Sequence, residues 1–459
     1  METVKNIIIG FGKGGKTLAK FLAQHGEQVL VIEKSKQMYG GTCINIACLP
    51  SKRLIIEAAH GTSFEDAVDG KNVMTSQLRQ KNYQMLASED NITVLDGTAH
   101  FTGNHTIDVQ TPDGQTLSYK GERIFINTGA TPTIPDIPGL KDNRFLMNST
   151  QAMDQPKLPR ELVIIGGGYI GLEFANMFTS FGSHVTVLDH HQTLLPREDD
   201  DVAEMVIQNF KDNGVRFEVG VDIKAIGEQD NQAAITFART DNRETTIFAD
   251  KILVATGRKP ATAALDLQNT DIKVAKNGAI VVDDLLHTSV PNVWAIGDVK
   301  GGPQFTYISL DDFRIIKEEL FGNKERRVSD RLVVPTNVFI EPSLAQVGLT
   351  EKEAQKQGKK YLLFKMPAAA IPKAKVLKDT RGLLKVLVDP QTNLIIGATL
   401  YVQEAQEIVN MIVLAMRAKL PYQMLRDQIY THPTISEAFN DLFKQPVDKK
   451  GMIRNGSGK

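Results

Sequence analysis

KNIIIGFGKGG, residues 5–15, is the stretch that decides the fold class. The apolar run before Gly10 reads as a buried strand, and Gly10, Gly12 and Gly15 form G-x-G-x-x-G directly after it. The run TLAKFLAQHG (17–26) follows, with Leu18, Phe21 and Leu22 at helical spacing and Gly26 where a helix would be capped. QVLVIE (28–33) is a second strand, ending in the carboxylate of Glu33. Strand, glycine turn, helix, strand and acid together predict a dinucleotide-binding unit. The first glycine allows the tight turn, the second lets a pyrophosphate approach the backbone, and the third lets helix and strand pack closely. The free N–H groups and dipole of the helix start hold phosphates, and Glu33 is spaced as a ribose acceptor.

The same design recurs far along the chain. ELVIIGGGYIG (161–171) carries Gly166, Gly168 and Gly171, LEFANMFTSFG (172–182) is the helix, and HVTVLD (184–189) ends in Asp189. A carboxylate there repels a 2′-phosphate and favours NADH over NADPH. His190 and His191 follow; they either soften that preference or, the reading favoured here, are surface loop residues. Glu173 is either solvated or set to meet a cation, for which Lys52 is the candidate. Lys13 and Lys16 are cations near the first phosphate site, and Lys16 is read as a solvated helix residue.

With 459 residues the chain is too long for one ordinary core, and two to four domains are expected. Apolar content of 42% and charged content of 23% are those of a globular protein, and a net charge of −1 gives no electrostatic case for nucleic acid or an anionic membrane. No apolar run spans a bilayer, and METVKNIIIG lacks the parts of a secretory signal, so a cytoplasmic protein is expected.

Short alternating strands are expected from about Ile92 to Ile126. TGATPTIPDIPG (128–139) leaves the first domain, and ATGRKP (255–260) is a similar phrase after the second. From Val333 mixed strands are followed by helices from about Ala405, and NGSGK is a short polar tail. The expected division is 1–148 and 266–332 for the first dinucleotide-binding and central part, 149–265 for the second dinucleotide-binding domain and 333–459 for a separate C-terminal domain.

The chain's two cysteines share one motif, GGTCINIACLPSK (40–52). By themselves they are two neighbouring buried thiols, a redox pair or a metal pair. Zinc wants four ligands and no Cys or His cluster accompanies them, so no metal is expected. The dinucleotide context favours redox. Residues five apart do not face each other on a straight helix, but they meet where a loop enters one. A helix start there lowers a thiol's pKa, and Pro50 suits a first turn.

Both glycine motifs, C-x-x-x-x-C-x-P-x-K, AIGDV (295–299) and HPTISE (432–437) occur in order from Ile7 to Phe443. The combination resembles the class I pyridine nucleotide-disulfide oxidoreductases, which include dihydrolipoamide dehydrogenases, glutathione reductases and mercuric reductases. The resemblance implies an α/β chain with two Rossmann-like domains, for FAD and NAD(P), and an α+β C-terminal dimerisation domain. It implies FAD at Gly10, Gly12, Gly15, Glu33, Thr42, Lys52, Gly129 and Asp298, and NADH (NADPH tolerated) at Gly166, Gly168, Gly171, Asp189 and Gly257. Cys48 would face the flavin, Cys43 would attack substrate, Lys52 would pair with Glu173, and His432, held by Glu437, would be the acid–base group supplied by the partner of a homodimer.

GFGKGGKTLA (10–19), MYGGTCINI (38–46) and GDVKGGPQFTYISLDDFR (297–314) are similar to the RclA-like group, flavoproteins of defence against reactive chlorine species that include hypothiocyanous acid reductases. Ala47 replaces a glycine usual before the second cysteine, adding a methyl near the flavin, and Tyr430-Thr431 replaces the His-Ala typical of dihydrolipoamide dehydrogenases. No cysteine follows Cys48, so the second thiol pair of mercuric reductases is lacking and a small-molecule oxidant must reach Cys43 directly. The implied activity is NAD(P)H-dependent reduction of hypothiocyanous acid or a related oxidant. The alternatives are reduction of lipoamide or another small disulfide, Cu(II) reduction, and a flavin-bound redox sensor.

Overall fold

A computed structural model describes residues 1–447, so the NGSGK tail and the end of the segment expected to run to 459 lie outside the described residues. The chain divides into two units. The first comprises Met1–Pro135, Met147–Leu158 and Thr256–Arg331. Its sheet runs in the order Ile92–Asp96, Val29–Glu33, Glu2–Ile9, Thr116–Ile126, Thr106–Gln110, Thr98–Gly103, with Val293–Ala295 also beside Thr116–Ile126. The strands flanking Glu2–Ile9 pair with it in parallel, Ile7 lying opposite Leu30 on one side and Ile124 on the other.

Alternation of side chains splits the apolar run in two. Ile7 and Ile9 join Leu30, Phe101, Ile124 and Val293 in one core, while Ile8 joins Leu18, Leu22, Phe125 and Trp294 in another. A sheet covered on both faces needs a nearly continuous apolar strand, and all five residues of Val29–Glu33 are buried. The helix Lys13–Gln24 buries Leu18, Ala19, Leu22 and Ala23 and stops before Gly26, which has φ +76°. Truncating Leu18 or Leu22 to alanine would cost about 2–5 kcal/mol. The helix Thr306–Phe321 lies so close that a Cβ on Gly14 would stand 2.6 Å from the Ser309 carbonyl oxygen.

The expectation for Lys16 is overturned. It is 4% exposed, not solvated. The loop before Cys43 and the long helix Phe64–Ala87 cover it, and its Nζ donates to the Gly40 carbonyl at 3.2 Å and to the Asn82 side chain.

The second unit comprises Asp136–Leu146, Pro159–Ala255 and the chain from Leu332. Here Arg216–Val219, His184–Asp189, Glu161–Ile165 and Lys251–Val254 lie side by side in parallel. The helix Tyr169–Phe181 ends at Gly182, whose φ of +107° is the left-handed stop that the sequence suggested. An antiparallel meander of Asp222–Gln229, Gln232–Ala238 and Glu244–Ala249 adjoins this sheet's core. Beyond Val333 a five-stranded sheet is ordered Thr336–Val338, Leu344–Gly348, Ile395–Tyr401, Leu383–Val388, Leu362–Pro367. The helix Ala405–Arg417, which starts where the pattern placed it, buries Ala405, Ile408, Val409, Ile412 and Ala415 against that sheet's core. No described helix is long and apolar enough to cross a membrane.

Candidate active site around Cys43 and Cys48

The cysteine motif folds as two helical pieces. Cys43 lies in the short helix Thr42–Asn45, and Cys48 is the first residue of Cys48–Ala59. The break falls at Ile46 and Ala47, so residues five apart can meet. Ala47 has φ −142° and ψ −101°, neither helical nor extended, which marks the break between the two pieces. Pro50 sits in the first turn, where its missing N–H leaves no helical bond unmade.

Both cysteines are free thiols, half-buried, and their side chains hydrogen-bond each other. The hydrogen bond from Cys43 lowers the pKa of Cys48 to about 6; burial opposes this, and the Thr306 hydroxyl and Lys52 assist it. The same coupling pushes Cys43 well above the ordinary thiol range, with burial adding to the rise. The first proton therefore leaves Cys48. Thr306, the first residue of its helix, has its Oγ1 3.6 Å from Cys48 Sγ. The sequence reading gave Thr306 no role, although it lies inside the GDVKGGPQFTYISLDDFR segment.

The first glycine turn lies against this motif. A Cβ on Gly41 would stand 2.7 Å from Gly12 Cα, so the dinucleotide loop and the residues before Cys43 touch backbone to backbone. That contact, and the Asn127 Oδ1 that a Gly12 Cβ would meet at 2.5 Å, give Gly12 a packing role besides the expected approach of a pyrophosphate. Asn127 is a second residue that sequence reasoning missed. Buried, it accepts from Gly15 N at 3.0 Å and donates to the Ile296 carbonyl at 2.9 Å, pinning the turn to the neighbouring strand. A Cβ on Gly10, with φ +104°, would meet the Asn127 carbonyl oxygen at 2.4 Å.

The residues present fit an FAD. The helix Lys13–Gln24 starts at Gly12; Ser309 Oγ and Asn127 Oδ1 take the amides of Gly14 and Gly15, and among the described residues no hydrogen bond engages the amides of Gly12 and Lys13, which remain for phosphate. Both Glu33 oxygens accept amides, Oε2 from Phe11 at 3.0 Å and Oε1 from Ser35 at 3.2 Å, and each keeps a lone pair for a ribose hydroxyl. Burial raises the Glu33 pKa against those donors. Gly129 has φ +74°, and the neighbouring Thr128 Oγ1 is buried without a partner. Asp298 sits half-buried in the turn Gly297–Lys300, and no hydrogen bond or ion pair among the described residues engages its carboxylate. Burial raises its pKa, with Arg258 and Lys300 opposing.

In the second unit the acid is held by the same device. Asp189 Oδ2 accepts the amide of Gly167, the residue after the first glycine, at 2.6 Å, as Glu33 accepts that of Phe11. A Cβ on Gly171 would stand 2.0 Å from the Gly166 carbonyl oxygen, whereas one on Gly168 would meet nothing within 4 Å, so packing does not require a glycine there. The helix Tyr169–Phe181 likewise lacks a side-chain cap, and Gly257 has φ +114°. Burial works against the Asp189 charge, but the His191 and Gly167 amides and the His191 ring outweigh it and hold the pKa below the usual range. His191 is exposed like the surface residue expected, yet its Nδ1 contacts Asp189 Oδ1 at 2.8 Å. Glu173 is half-buried and accepts from Phe339 N at 2.9 Å.

His432 is exposed, and its Nδ1 is 2.8 Å from Glu437 Oε2. Glu437 Oε1 accepts from Thr434 N at 3.0 Å. The His432 contact lowers the Glu437 pKa, and among the described residues no hydrogen bond engages the other His432 nitrogen.

Residues 4–312 match the pyridine nucleotide-disulphide oxidoreductase family, and residues 334–443 match the dimerisation domain of that family. The probable pyridine nucleotide-disulfide oxidoreductase RclA of Escherichia coli is 46% identical over 96% of this chain and 99% of its own length. A dihydrolipoyl dehydrogenase of Geobacillus stearothermophilus is 31% identical over 94% of each chain. The solved Cu(II) complex of the HOCl-induced flavoprotein disulfide reductase RclA from Escherichia coli superposes with a TM-score of 0.93, at 46% identity over 96% of this chain and 99% of that one. The chain belongs to the class I pyridine nucleotide-disulphide oxidoreductases, FAD- and NAD(P)H-dependent enzymes, and within them it is RclA-like.

Proposed function

We propose that this enzyme reduces hypothiocyanous acid, or a closely related oxidant derived from reactive chlorine, with electrons from NADH. The observation that carries the reading is the asymmetric thiol pair. Cys48 ionises first beside Lys52 and Thr306, and Cys43 is joined to it by a hydrogen bond. No cysteine follows Cys48, so the oxidant meets this pair without a second thiol pair to relay electrons. Bound FAD supplies the two-electron link between the NADH hydride and the Cys43–Cys48 disulfide.

Gly10, Gly12, Gly15, Glu33, Thr42, Lys52, Gly129 and Asp298 would hold FAD, and Gly166, Gly168, Gly171, Asp189 and Gly257 would hold NADH. The residues before 149 and those from 266 to 332 would form the FAD-binding and central part, and those from 333 onward the interface of a homodimer. Cys43, as thiolate, attacks the electrophilic sulfur of hypothiocyanous acid; an S–S bond forms, the O–S bond breaks, and the oxygen leaves as water after taking a proton. His432 from the partner subunit, steadied by Glu437, is the proton source. Cys48 then returns the remaining proton to His432 and attacks Cys43 Sγ, expelling thiocyanate, a weak base that leaves without a proton, and closing the disulfide.

Reduction of Cu(II) is the second reading, favoured by the copper complex of the RclA relative. NADH oxidation measured in turn with hypothiocyanous acid, lipoamide, oxidised glutathione and Cu(II) separates the readings. Hypothiocyanous acid should give the highest kcat/KM, and brisk turnover of lipoamide without turnover of hypothiocyanous acid would overturn the proposal.

A further inference from the structure

Lys16 is a buried ammonium for which the described residues offer no carboxylate. It is 4% exposed, and its hydrogen-bond acceptors, the Gly40 carbonyl and the Asn82 side chain, are neutral. A buried charge balanced only by dipoles is costly and calls for an anion nearby. The acceptor at Gly40 lies three residues before Cys43, and Gly41, one step on, rests against Gly12 of the turn that leads into the lysine's own helix. Lys16 thus grips the base of the loop that presents Cys43.

We infer that Lys16 is a positioning residue for the Cys43 thiolate, its ammonium offsetting the pull that keeps the shared charge on Cys48. The inference rests on Cys43 being the thiol that attacks substrate. When the pair has lost one proton, the charge sits on Cys48 and the remaining proton on Cys43. For attack that proton passes along the Cys43–Cys48 hydrogen bond, and the negative charge moves to Cys43, towards Lys16.

The groups acting on each partner are few. Lys16 faces Lys13 on its own helix and Cys43, with neutral Asn82 on the long helix. Cys43 faces Cys48, Thr306 and Lys16, while Cys48 also faces Lys52, Arg258 and Tyr307. Burial and, to a lesser degree, Lys13 lower the Lys16 pKa to about 8 against the opposing effect of Cys43. The ammonium is therefore charged at neutral pH, and its help to Cys43 fades as pH rises through that value.

The test uses the FAD-loaded full-length protein in a Cys48→Ser background, where Cys43 is the sole cysteine. Its alkylation by iodoacetamide is followed against pH by mass spectrometry. Lys16→Met removes the charge. Asn82→Asp keeps the lysine but gives it a competing anion, and so stays informative if Lys16→Met fails to fold. Each should slow alkylation at pH 7 by about tenfold, an upward shift of about one unit in the apparent Cys43 pKa, with the FAD-to-protein ratio unchanged. Lys16→Arg should restore part of the rate. An unchanged profile in both variants, or loss of FAD with the Cys43 profile intact, would overturn the inference and leave Lys16 a counter-ion for the dinucleotide. The readout involves no oxidant, so it stands or falls apart from the identity of the substrate.

Discussion

Removing the Thr306 hydroxyl should move the ionisation of Cys48 by an amount that can be worked out. Its Oγ1 lies 3.6 Å from Cys48 Sγ and helps to bring that thiol's pKa to about 6. A hydrogen bond to a charged group contributes about 1.5–3 kcal/mol, and a long bond to sulfur falls below that range, at about 1 kcal/mol. That corresponds to about 0.7 pKa unit. A hydroxyl that donates to the thiolate favours the ionised form, so Thr306→Val raises the pKa. At pH 6.5 the ionised fraction should fall from about three-quarters to about two-fifths. The comparison is best made between Cys43→Ser and Cys43→Ser/Thr306→Val, since the serine leaves Cys48 as the sole thiol and shifts the baseline equally in both. Two readouts are available: the alkylation rate of Cys48 against pH, and the long-wavelength absorbance that a thiolate beside the flavin gives. An unchanged midpoint in both would refute the argument that the start of Thr306–Phe321 tunes Cys48.

Asn127→Leu should destabilise the first unit by about 2–5 kcal/mol, because it leaves the Gly15 amide and the Ile296 carbonyl without their partners; a denaturant midpoint within about 0.5 kcal/mol of wild type would contradict this. NADH should show a higher kcat/KM than NADPH, since Asp189 is held ionised by the amides of Gly167 and His191; a clear preference for NADPH would mean that the exposed His190 and His191 dominate recognition. Mixing Cys43→Ser with His432→Ala, both inactive alone, should recover some activity through hybrid dimers, and a fully active monomer in sedimentation would rule out the shared site.

What was legible in the sequence was local. Gly10, Gly12, Gly15 and Glu33 lie within one strand–helix–strand unit, as do Gly166, Gly168, Gly171 and Asp189, so their geometry follows from adjacent dihedrals and short spacings. The cysteines likewise mark their own helix break. The residues missed act over long separations: Asn127 is 112 positions from the Gly15 it binds, and Thr306 is 258 from Cys48. No local pattern marks an asparagine as the clasp of a distant glycine turn. Lys16 was misread for a related reason. The helical spacing of Leu18 and Leu22 identifies the face against the sheet, but says nothing of a loop and a long helix arriving to cover the other side. For Thr306 a signal did exist, in the segment already set apart by its resemblance to the RclA-like group.

The central claim is that electrons from NADH reach the oxidant through the Cys43–Cys48 pair. These are the chain's only cysteines, so counting thiols tests it directly. Anaerobic, oxidised holoenzyme should show no alkylatable thiol under denaturing conditions. One equivalent of NADH should expose two, mapped to Cys43 and Cys48, and one equivalent of hypothiocyanous acid should then remove both. If NADH bleaches the flavin and hypothiocyanous acid restores its colour while the thiol count stays constant, the pair is not the conduit and the account is wrong.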